Sequence, residues 1–346
     1  MHSEERFGIP QGSTVLVTGV NGFIGSHISS QLLRLGFNVR GTVRDTAKYA
    51  WVEDAMERQG GKSIFSLVSL PDLEETGAFD VLVRDVSAVI HVASPVSLSP
   101  DPESVIPSSI NGAMNALRAA NSSPSVKRFI LTSSSVAAAL PKPDQKSTEV
   151  TANSWNIESV AIAWGKSHPH QAWHVYAASK IEAERAVWRF YNQDKSRRLD
   201  LVVNTVLPSC NFGRSLDVIN QGHPSTSSFI ESLWYGIDMD QLACSPPQHF
   251  VDVEDTARLH VACALLPDVR GERVFAWAES FNFDAVLGIL RNEFPNKHFV
   301  DNFHHYRDLS SADKVKARAA QLLRRMGRDG FTCLADSVLH NVDDLP

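Results

Sequence analysis

The stretch VLVTGVNGFIGSHISSQLL, which begins at Val15, places three glycines in the turn between an apolar run and an amphipathic run. The apolar run predicts a buried strand, and the pattern from Phe23 onward predicts a helix. In such a strand–turn–helix unit, Gly19 permits a tight turn and Gly25 lets the helix pack close to the strand. Gly22 lets the backbone approach a ligand, and the amides at the helix N-terminus favour a diphosphate. The stretch therefore predicts an α/β fold with a dinucleotide site.

The alternation of strand and helix continues through the first half of the chain. Further strands are predicted for NVRGTV, AVIHVAS, VKRFILTSSS and DLVVNTVLPS, and helices for SSINGAMNALRAA and YAASKIEAERAVWRFYNQ. This pattern predicts a doubly wound, Rossmann-type parallel sheet with helices on both faces. Residues 141–170 are polar and contain prolines, so we expect a long irregular surface insertion there.

Composition excludes several classes of function. The chain has 346 residues, of which 43% are hydrophobic, enough for a large domain with a smaller companion. The net charge of -6 comes from residues of mixed sign, without the basic patch that nucleic acid needs. No apolar run approaches the length of a membrane span, and the polar N-terminus lacks a signal-peptide core. We therefore expect neither a nucleic-acid nor a membrane partner.

The cysteines and histidines argue against a metal site. Scattered cysteines without a CxxC pair favour a reducing cytoplasm over a disulfide framework or zinc. These cysteines are Cys210, Cys244, Cys263 and Cys333. His168, His170 and His174 have no nearby cysteine or acidic partner, so a solvated loop is expected there instead of a metal centre.

The end of the second predicted strand, GTVRD, bears on which dinucleotide binds. NAD-selective sites place an acidic residue there to hold the ribose 2′-hydroxyl. Here Val43 takes that position, and Arg44 follows it, where a guanidinium can pair with a 2′-phosphate. Lys48 adds a second positive charge. Asp45 leaves open the alternative that an acid binds the ribose and that Arg44 is a solvated surface charge. We predict NADPH, with NADP+ as its oxidised form.

Tyr176 and Lys180 lie four positions apart in YAASK, which places both on one face of a helix. Ser134 follows a predicted strand, at the edge where parallel sheets bind ligands. Reducing a carbonyl requires a hydride from a nicotinamide and a proton on the developing alkoxide. We expect Lys180 to lower the pKa of the Tyr176 phenol and to hold the nicotinamide ribose, with Ser134 hydrogen-bonded to the substrate oxygen.

Asn111, in the helix SINGAMNALRAA, has two interpretations. It holds a water that relays a proton to Lys180, or it is a helix residue satisfied by the neighbouring backbone.

Six segments occur in an order that resembles the extended short-chain dehydrogenases/reductases: TGVNGFIG, HVASPV, SINGAMNALRAA, VKRFILTSSS, YAASK and LPSCNFG. Within them, NALRAA, PSVKRFILTSS and HVYAASKIEAERAVW are similar to the fungal and yeast NADPH-dependent carbonyl (aldehyde and ketone) reductases, near dihydroflavonol 4-reductase. The resemblance covers roughly residues 11–340.

The resemblance implies catalytic roles for four residues: Ser134, Tyr176, Lys180 and Asn111. Tyr176 and Lys180 are also implied to contact the cofactor, together with Gly19, Gly22, Phe23, Ile24, Gly25, Arg44, Lys48, Ala93, Ser94, Pro208 and Ser209. Two departures stand out. The family's Asp-Leu pair after the third strand is replaced by Ser69 and Leu70, and the stretch 141–174 is longer than in many relatives.

The alternation of elements weakens after Ser209, which favours a second, smaller domain in two pieces. We predict a NADP-binding Rossmann domain of residues 11–209 plus about 249–278. A substrate-binding domain then takes 210–248 plus about 279–346.

The substrate pocket is expected to be walled by apolar side chains, each equally consistent with ordinary core packing: Val96, Val136, Trp173, Cys210, Phe212 and Trp234. No fixed basic group is evident for a carboxylate or phosphate. We therefore expect reduction of an uncharged, fairly apolar aldehyde or ketone to a chiral alcohol, by a cytoplasmic monomer or homodimer. The alternatives are a NAD-dependent sugar-nucleotide epimerase or hydroxysteroid-type dehydrogenase, and a non-catalytic NADP-sensing module.

Overall fold

The computed structural model describes residues 7–60, 64–95, 98–141, 149–166, 168–306 and 310–346. Its strands, in chain order, are β1 (Thr14–Thr18), β2 (Asn38–Val43), β3 (Phe65–Ser69), β4 (Val86–His91), β5 (Arg128–Thr132), β6 (Val202–Pro208), β7 (Cys210–Phe212), β8 (Gln248–Asp252), β9 (Arg273–Ala276) and β10 (Ser280–Phe281). Its helices are α1 (Phe23–Arg34), α2 (Trp51–Gly60), α3 (Pro102–Ser122), α4 (Ile157–Ala163), α5 (Gln171–Gln193), α6 (Val218–Gln221), α7 (Ser228–Tyr235), α8 (Met239–Ala243), α9 (Val253–Leu265), α10 (Phe283–Glu293), α11 (Asp313–Arg325) and α12 (Leu334–Val342).

A seven-stranded sheet has the order β3-β2-β1-β4-β5-β6-β9, and its neighbouring strands pair in parallel. The strand order reverses between β1 and β4, which opens a crevice at the carboxyl ends of these strands. The predicted doubly wound parallel sheet is confirmed.

Both faces of this sheet are covered, which explains why its central strands are mostly buried and rich in apolar residues. In β1, Val15, Leu16 and Val17 have no exposed surface. Helices α1, α2, α9 and α11 contribute to one hydrophobic core, and α3 and α5 contribute to the core on the opposite face. The sheet is therefore a rigid platform whose carboxyl edge positions the loops that follow β1, β2, β4, β5 and β6.

A second, three-stranded sheet of order β10-β8-β7 carries its own hydrophobic core with α7, α10 and α12. Helix α11 lies in the stretch predicted to belong to the smaller domain, yet it packs through Ala319, Leu322 and Leu323 into the core of the large sheet. Strand β8 overlaps the start of the segment predicted for the Rossmann domain, and it pairs with β7 and β10. The predicted domain boundaries themselves stay a prediction.

The stretch 141–170 is more ordered than its composition suggests, and its prediction as an irregular insertion is corrected in part. It contains α4, and Ser159 and Ala163 of this helix are buried. Residues 142–148 and 167 lie outside the described part of the chain. The stretch GRSLDVINQGHPSTSS, where the alternation of elements weakens, includes α6 and a 3₁₀ turn at Ser225–Ser227. None of the described helices is long and apolar enough to span a lipid bilayer.

Candidate active site

The glycine turn between β1 and α1 has the backbone geometry that its sequence predicts. Gly19 has a φ of +70°, a left-handed conformation that side chains rarely adopt. A Cβ on Gly25 would lie 2.2 Å from the Gly19 carbonyl oxygen, so only glycine allows α1 to approach the turn this closely. The Thr18 hydroxyl accepts hydrogen bonds of 2.9 Å from the backbone amides of Val92 and Ala93, which ties the turn to the end of β4.

A cleft of about 570 Å³ opens over this turn, at the reversal point of the sheet. Eight of the predicted cofactor residues line it: Gly19, Gly22, Phe23, Ile24, Gly25, Arg44, Ala93 and Ser94. Two other predicted cofactor positions do not line the cleft: Pro208 ends β6, and the backbone amide of Ser209 donates to the carbonyl oxygen of Ala276 at 3.1 Å.

The three charged residues that follow β2 have different surroundings. Arg44 lines the cleft, is exposed, and has no carboxylate partner among the described residues. The Asp45 carboxylate accepts the backbone amides of Ala47 (2.9 Å) and Lys48 (3.1 Å), and thereby stabilises the following turn. The Lys48 ammonium lies 5.4 Å from the Tyr49 ring centroid, and Lys48 does not line the cleft. Arg44 is therefore the cation available to a ligand phosphate.

The predicted departure at Ser69 and Leu70 is corrected by the structure. Ser69 ends β3 and its hydroxyl donates to the Arg44 carbonyl oxygen at 3.2 Å. The cleft is lined a few residues later by Leu70, Asp72 and Leu73, among others, so an Asp-Leu pair is present beside it. The sequence signal for this pair is the DL of LPDLEE, Asp72 and Leu73, which lies three residues beyond the end of β3.

Ser134, Tyr176 and Lys180 lie where the end of β5 meets α5. Ser134 follows β5, its hydroxyl accepts from the Val136 amide at 3.4 Å, and it lies near enough to Tyr176 to lower the pKa of that phenol. Tyr176 and Lys180 lie one turn apart on α5. Lys180 is buried, with 7% of its surface exposed, and lines a small cavity of about 10 Å³, enough for one water. This cavity shares four lining residues with the cleft: Leu73, Ala93, Ser94 and Pro95.

Burial has the largest effect on the pKa values of Tyr176 and Lys180. It raises the pKa of Tyr176 above its ordinary 10.0, a shift that the hydrogen bond from Ser134 partly offsets. It lowers the pKa of Lys180 from 10.5 to about 8. The expectation that Lys180 lowers the Tyr176 pKa is thus corrected, because desolvation disfavours the phenolate and the ammonium alike. In this state Tyr176 is a neutral phenol that can donate a proton.

Asn111 does not reach Lys180. It lies on the exposed face of α3, and its side-chain amide is 3.5 Å from the Glu74 carboxylate. Ser109 of the same helix lines the small cavity with Lys180, and its buried hydroxyl has no hydrogen-bond partner among the described residues. The helix period explains the difference, because positions two apart point to nearly opposite faces. The geometry therefore places Ser109 and not Asn111 beside Lys180.

The predicted substrate residues separate into two groups. Trp173 is 41% exposed, and its ring lies 5.5 Å from that of Tyr176. Val136 belongs to the 3₁₀ turn that follows Ser134. The other described candidates are core residues of the smaller sheet, which corrects their assignment to a pocket wall: Cys210, Phe212 and Trp234. Val96 lies outside the described residues.

The histidine-rich segment is only partly a solvated loop. His170 directly precedes α5, whereas His174 lies within it and is half-buried. His174 Nδ1 is 3.0 Å from the Ser159 hydroxyl of α4, and its ring centroid is 5.0 Å from that of His168. The segment therefore fastens the insertion to the helix that carries Tyr176.

Sequence reasoning missed Gln221, for which the chain has no local signal. Its side-chain amide donates to the backbone carbonyl oxygens of Asn21 (3.2 Å) and Gly22 (3.4 Å) and to the Ser26 hydroxyl (3.2 Å). The segment from Arg214 to Gly222 thereby lies against the glycine turn. Its contact arises only from the tertiary fold, since Gln221 follows the turn by about two hundred residues.

Comparison with known proteins places this arrangement in a family. The model of the NAD dependent epimerase/dehydratase family matches residues 15–276. Aldehyde reductase 2 of Sporidiobolus salmonicolor is 38% identical over 334 residues, which cover 95% of this chain and 95% of that protein. Ketoreductase adrE of Penicillium roqueforti is 38% identical over 347 residues, with 98% of each chain covered.

A solved structure shows the same fold. Gre2 of Candida albicans, crystallised in complex with NADPH, has a TM-score of 0.78 at 24% identity, covering 97% of this chain and 98% of that chain. Together with the motifs and the sheet order, these matches confirm the resemblance: the chain belongs to the NAD-dependent epimerase/dehydratase family, among the extended short-chain dehydrogenases/reductases.

Proposed function

We propose that this chain is an NADPH-dependent reductase that converts an uncharged, fairly apolar aldehyde or ketone into a chiral alcohol. One observation carries the proposal: the cleft lined by Arg44 shares four lining residues with a small cavity at the buried Lys180, one helical turn from Tyr176. Two of the relatives that share most of this chain's length are named as an aldehyde reductase and a ketoreductase, which supports carbonyl reduction.

The residues present fit NADPH. Gly22 caps the α1 N-terminus, whose partial positive charge favours a diphosphate, and Gly25 keeps α1 close to the turn that precedes it. Arg44 offers its guanidinium to a 2′-phosphate. Asp45 is not available to bind the ribose hydroxyls instead, because its carboxylate accepts hydrogen bonds from the amides of Ala47 and Lys48. When bound, NADPH supplies the hydride. Lys180 would hold the nicotinamide ribose, while Ala93, Ser94, Pro208 and Ser209 would border the cofactor.

The side chains of Ser134, Tyr176 and Lys180 divide the proton chemistry. Tyr176, neutral and hydrogen-bonded to Ser134, donates its proton to the carbonyl oxygen as negative charge develops there. Ser134 stabilises the same oxygen through its hydroxyl. Lys180, with a pKa of about 8, is charged near neutral pH and stabilises the phenolate that remains. Asn111 is left out of this group because of its position.

The substrate side is proposed to be apolar. Trp173 stands beside Tyr176 with a partly exposed ring, and Val136 adjoins Ser134. The predicted smaller domain would supply the opposite wall. The four cysteines are free, which supports a reducing compartment, and we propose the cytoplasm. The assembly is proposed as a monomer or homodimer.

A substrate panel tests the function. NADPH and NADH absorbance are followed with aldehydes, α-dicarbonyls, β-keto esters and dihydroflavonols, with sugar nucleotides as the comparison. We expect NADPH to be consumed with apolar carbonyls and to be preferred over NADH. Turnover of charged sugar nucleotides with NAD, without reduction of hydrophobic ketones, would instead favour the epimerase. Binding of NADPH with no turnover of any carbonyl would favour the non-catalytic module.

The pH dependence follows from Lys180. Since its pKa is lowered to about 8, we expect kcat/KM to fall about tenfold per pH unit above that value, as the ammonium is lost. A Lys180→Arg variant stays charged, so this alkaline limb should vanish from its slower reaction. The stability of the fold should change with pH in the opposite direction to kcat/KM. Between about 8 and 10.5 the unfolded chain binds the proton more tightly, so the free energy of unfolding of the cofactor-free protein should rise with pH.

pH-rate profiles of both proteins and chemical denaturation between pH 7 and 10.5 provide the measurements. An alkaline limb that persists unchanged in Lys180→Arg would assign the titration to another group.

A further inference from the structure

Glu184 is a fully buried carboxylate on the catalytic helix, one turn beyond Lys180. Five donors surround its two oxygens. Oε1 accepts from Thr205 Oγ1 (2.8 Å), Trp188 Nε1 (3.1 Å) and Arg273 Nε (2.7 Å). Oε2 accepts from Ser133 Oγ (2.7 Å) and Arg273 Nη2 (3.2 Å). The carboxylate therefore joins α5 to the end of β5, the middle of β6 and the first residue of β9, and its charge is paired by a guanidinium.

Arg273 extends this network into the insertion. Its Nη1 donates to the backbone carbonyl oxygens of Ala152 (2.8 Å) and Ser154 (2.7 Å). Its guanidinium lies 3.9 Å from the Trp155 ring centroid, within the range of a cation–π interaction. One charged group thus binds both the catalytic helix and the segment that lies between Ser134 and Tyr176 in sequence.

Two parts of this hydrogen-bond network lie next to the predicted catalytic residues. On one side, Ser133 directly precedes Ser134, whose hydroxyl meets that of Tyr176. On the other side, the insertion is held by Asn156, which donates to the Val136 carbonyl oxygen at 2.9 Å. The distance between the Ser134 and Tyr176 hydroxyls depends on how β5 docks on α5, and Glu184 is the charged group at that junction.

We propose that the Glu184–Arg273 pair is a positioning device that sets the Ser134–Tyr176 geometry for proton donation and anchors the insertion as one wall of the substrate site. The proposal rests on the carbonyl-reductase function given above. Neither residue lines the cleft or the small cavity, so both act through Ser133 and the insertion and not by contact with the cofactor. Removing one partner of a buried ion pair destabilises a fold, so the positioning role is tested by activity per folded cofactor site and not by stability.

The test uses Glu184→Gln, Ser133→Ala and Arg273→Lys, with Glu182→Gln as the matched control. Glu182 lies on the same helix and pairs at the surface with Arg185 at 2.9 Å. kcat is expressed per NADPH-binding site, which is counted by fluorescence titration, so unfolded protein does not contribute. We expect Glu184→Gln to lower kcat by about 30- to 100-fold and Ser133→Ala by about 10-fold, because small misplacements of reacting groups are costly.

Three further readouts separate positioning from a structural role. KM for NADPH should stay within about three-fold, because the cofactor contacts are untouched. The alkaline limb near the Lys180 pKa of about 8 should not move, because that shift comes from burial and not from Glu184. Arg273→Lys keeps a cation near Glu184 but loses the guanidinium hydrogen bonds to the carbonyl oxygens of Ala152 and Ser154. This variant should therefore raise KM for bulky carbonyls more than it lowers kcat.

Equal kcat per site in wild type, Glu184→Gln and Ser133→Ala would overturn the proposal. If Glu184→Gln does not fold, Ser133→Ala decides, since it removes one hydroxyl only. A wild-type protein that binds NADPH and reduces no carbonyl would refute the proposed function itself, a result distinct from failure of these variants.

Discussion

Replacing Tyr176 with phenylalanine is expected to lower kcat for carbonyl reduction by about 10²- to 10⁴-fold, with NADPH affinity nearly unchanged. The substitution removes only the hydroxyl that meets Ser134, so the ring still packs beside Trp173. Without that proton donor, the developing alkoxide must take its proton from water. The measurement is steady-state NADPH oxidation with the best substrate of the panel, together with a fluorescence titration of NADPH.

Tyr191→Phe is the matched control, because Tyr191 lies near the other end of the same helix and contacts Trp188 and Arg197. Its kcat should match that of the wild type. A Tyr176→Phe enzyme that consumes NADPH at the wild-type rate would remove the proposed general acid.

Replacing Gly25 with alanine is expected to disable the cofactor site and to destabilise the fold. The new Cβ would lie 2.2 Å from the Gly19 carbonyl oxygen and 3.2 Å from Val20 Cα, so the backbone of the turn must shift. Overpacking of this kind costs about 3 kcal/mol of the free energy of unfolding. Displacing one amide from a charged phosphate should raise the Kd for NADPH by about 30- to 100-fold. Chemical denaturation and NADPH titration measure the two effects.

Gly288→Ala provides the control for this variant. Gly288 lies in the exposed face of α10, and a Cβ there meets nothing within 4 Å. Alanine should stabilise that helix by about 0.5 to 1 kcal/mol and leave NADPH binding unchanged. If Gly25→Ala bound NADPH as tightly as Gly288→Ala, the glycine turn would not be the diphosphate site.

The sequence predicted the parts of the fold whose signals are local and strong. Strand β1, the glycine turn and α1 could be located because an apolar run, special backbone positions and a helical period follow one another. Strand β3 and helix α2 were not located from the sequence. In β3 all but the last residue are partly exposed and Ser69 is exposed, so the strand lacks the continuous apolar character of β1.

The candidate site residues likewise divide into those with a local sequence signal and those whose position depends on packing. Tyr176 and Lys180 share a helix face, and Arg44 follows a strand, so their spacing alone placed them correctly relative to those elements. Asn111 was misplaced because the phase of α3 against α5 is set by packing, which turned Ser109 towards Lys180 instead. From the sequence, Phe212 and Trp234 were predicted to line the substrate pocket. In the structure their rings pack against other aromatic side chains in the core of the smaller sheet.

The sequence by itself determined the family, the parallel sheet, and the glycine turn with its neighbouring arginine, because each depends on residues close together in the chain. Only the tertiary structure decided what depends on distant segments: the contact of Gln221 with the glycine turn, the pKa values of Tyr176 and Lys180, and the burial of Glu184 against Arg273. The physical reason is that desolvation and ion pairing depend on the complete surroundings of a group. Those surroundings form only when the sheet, the catalytic helix and the insertion pack together.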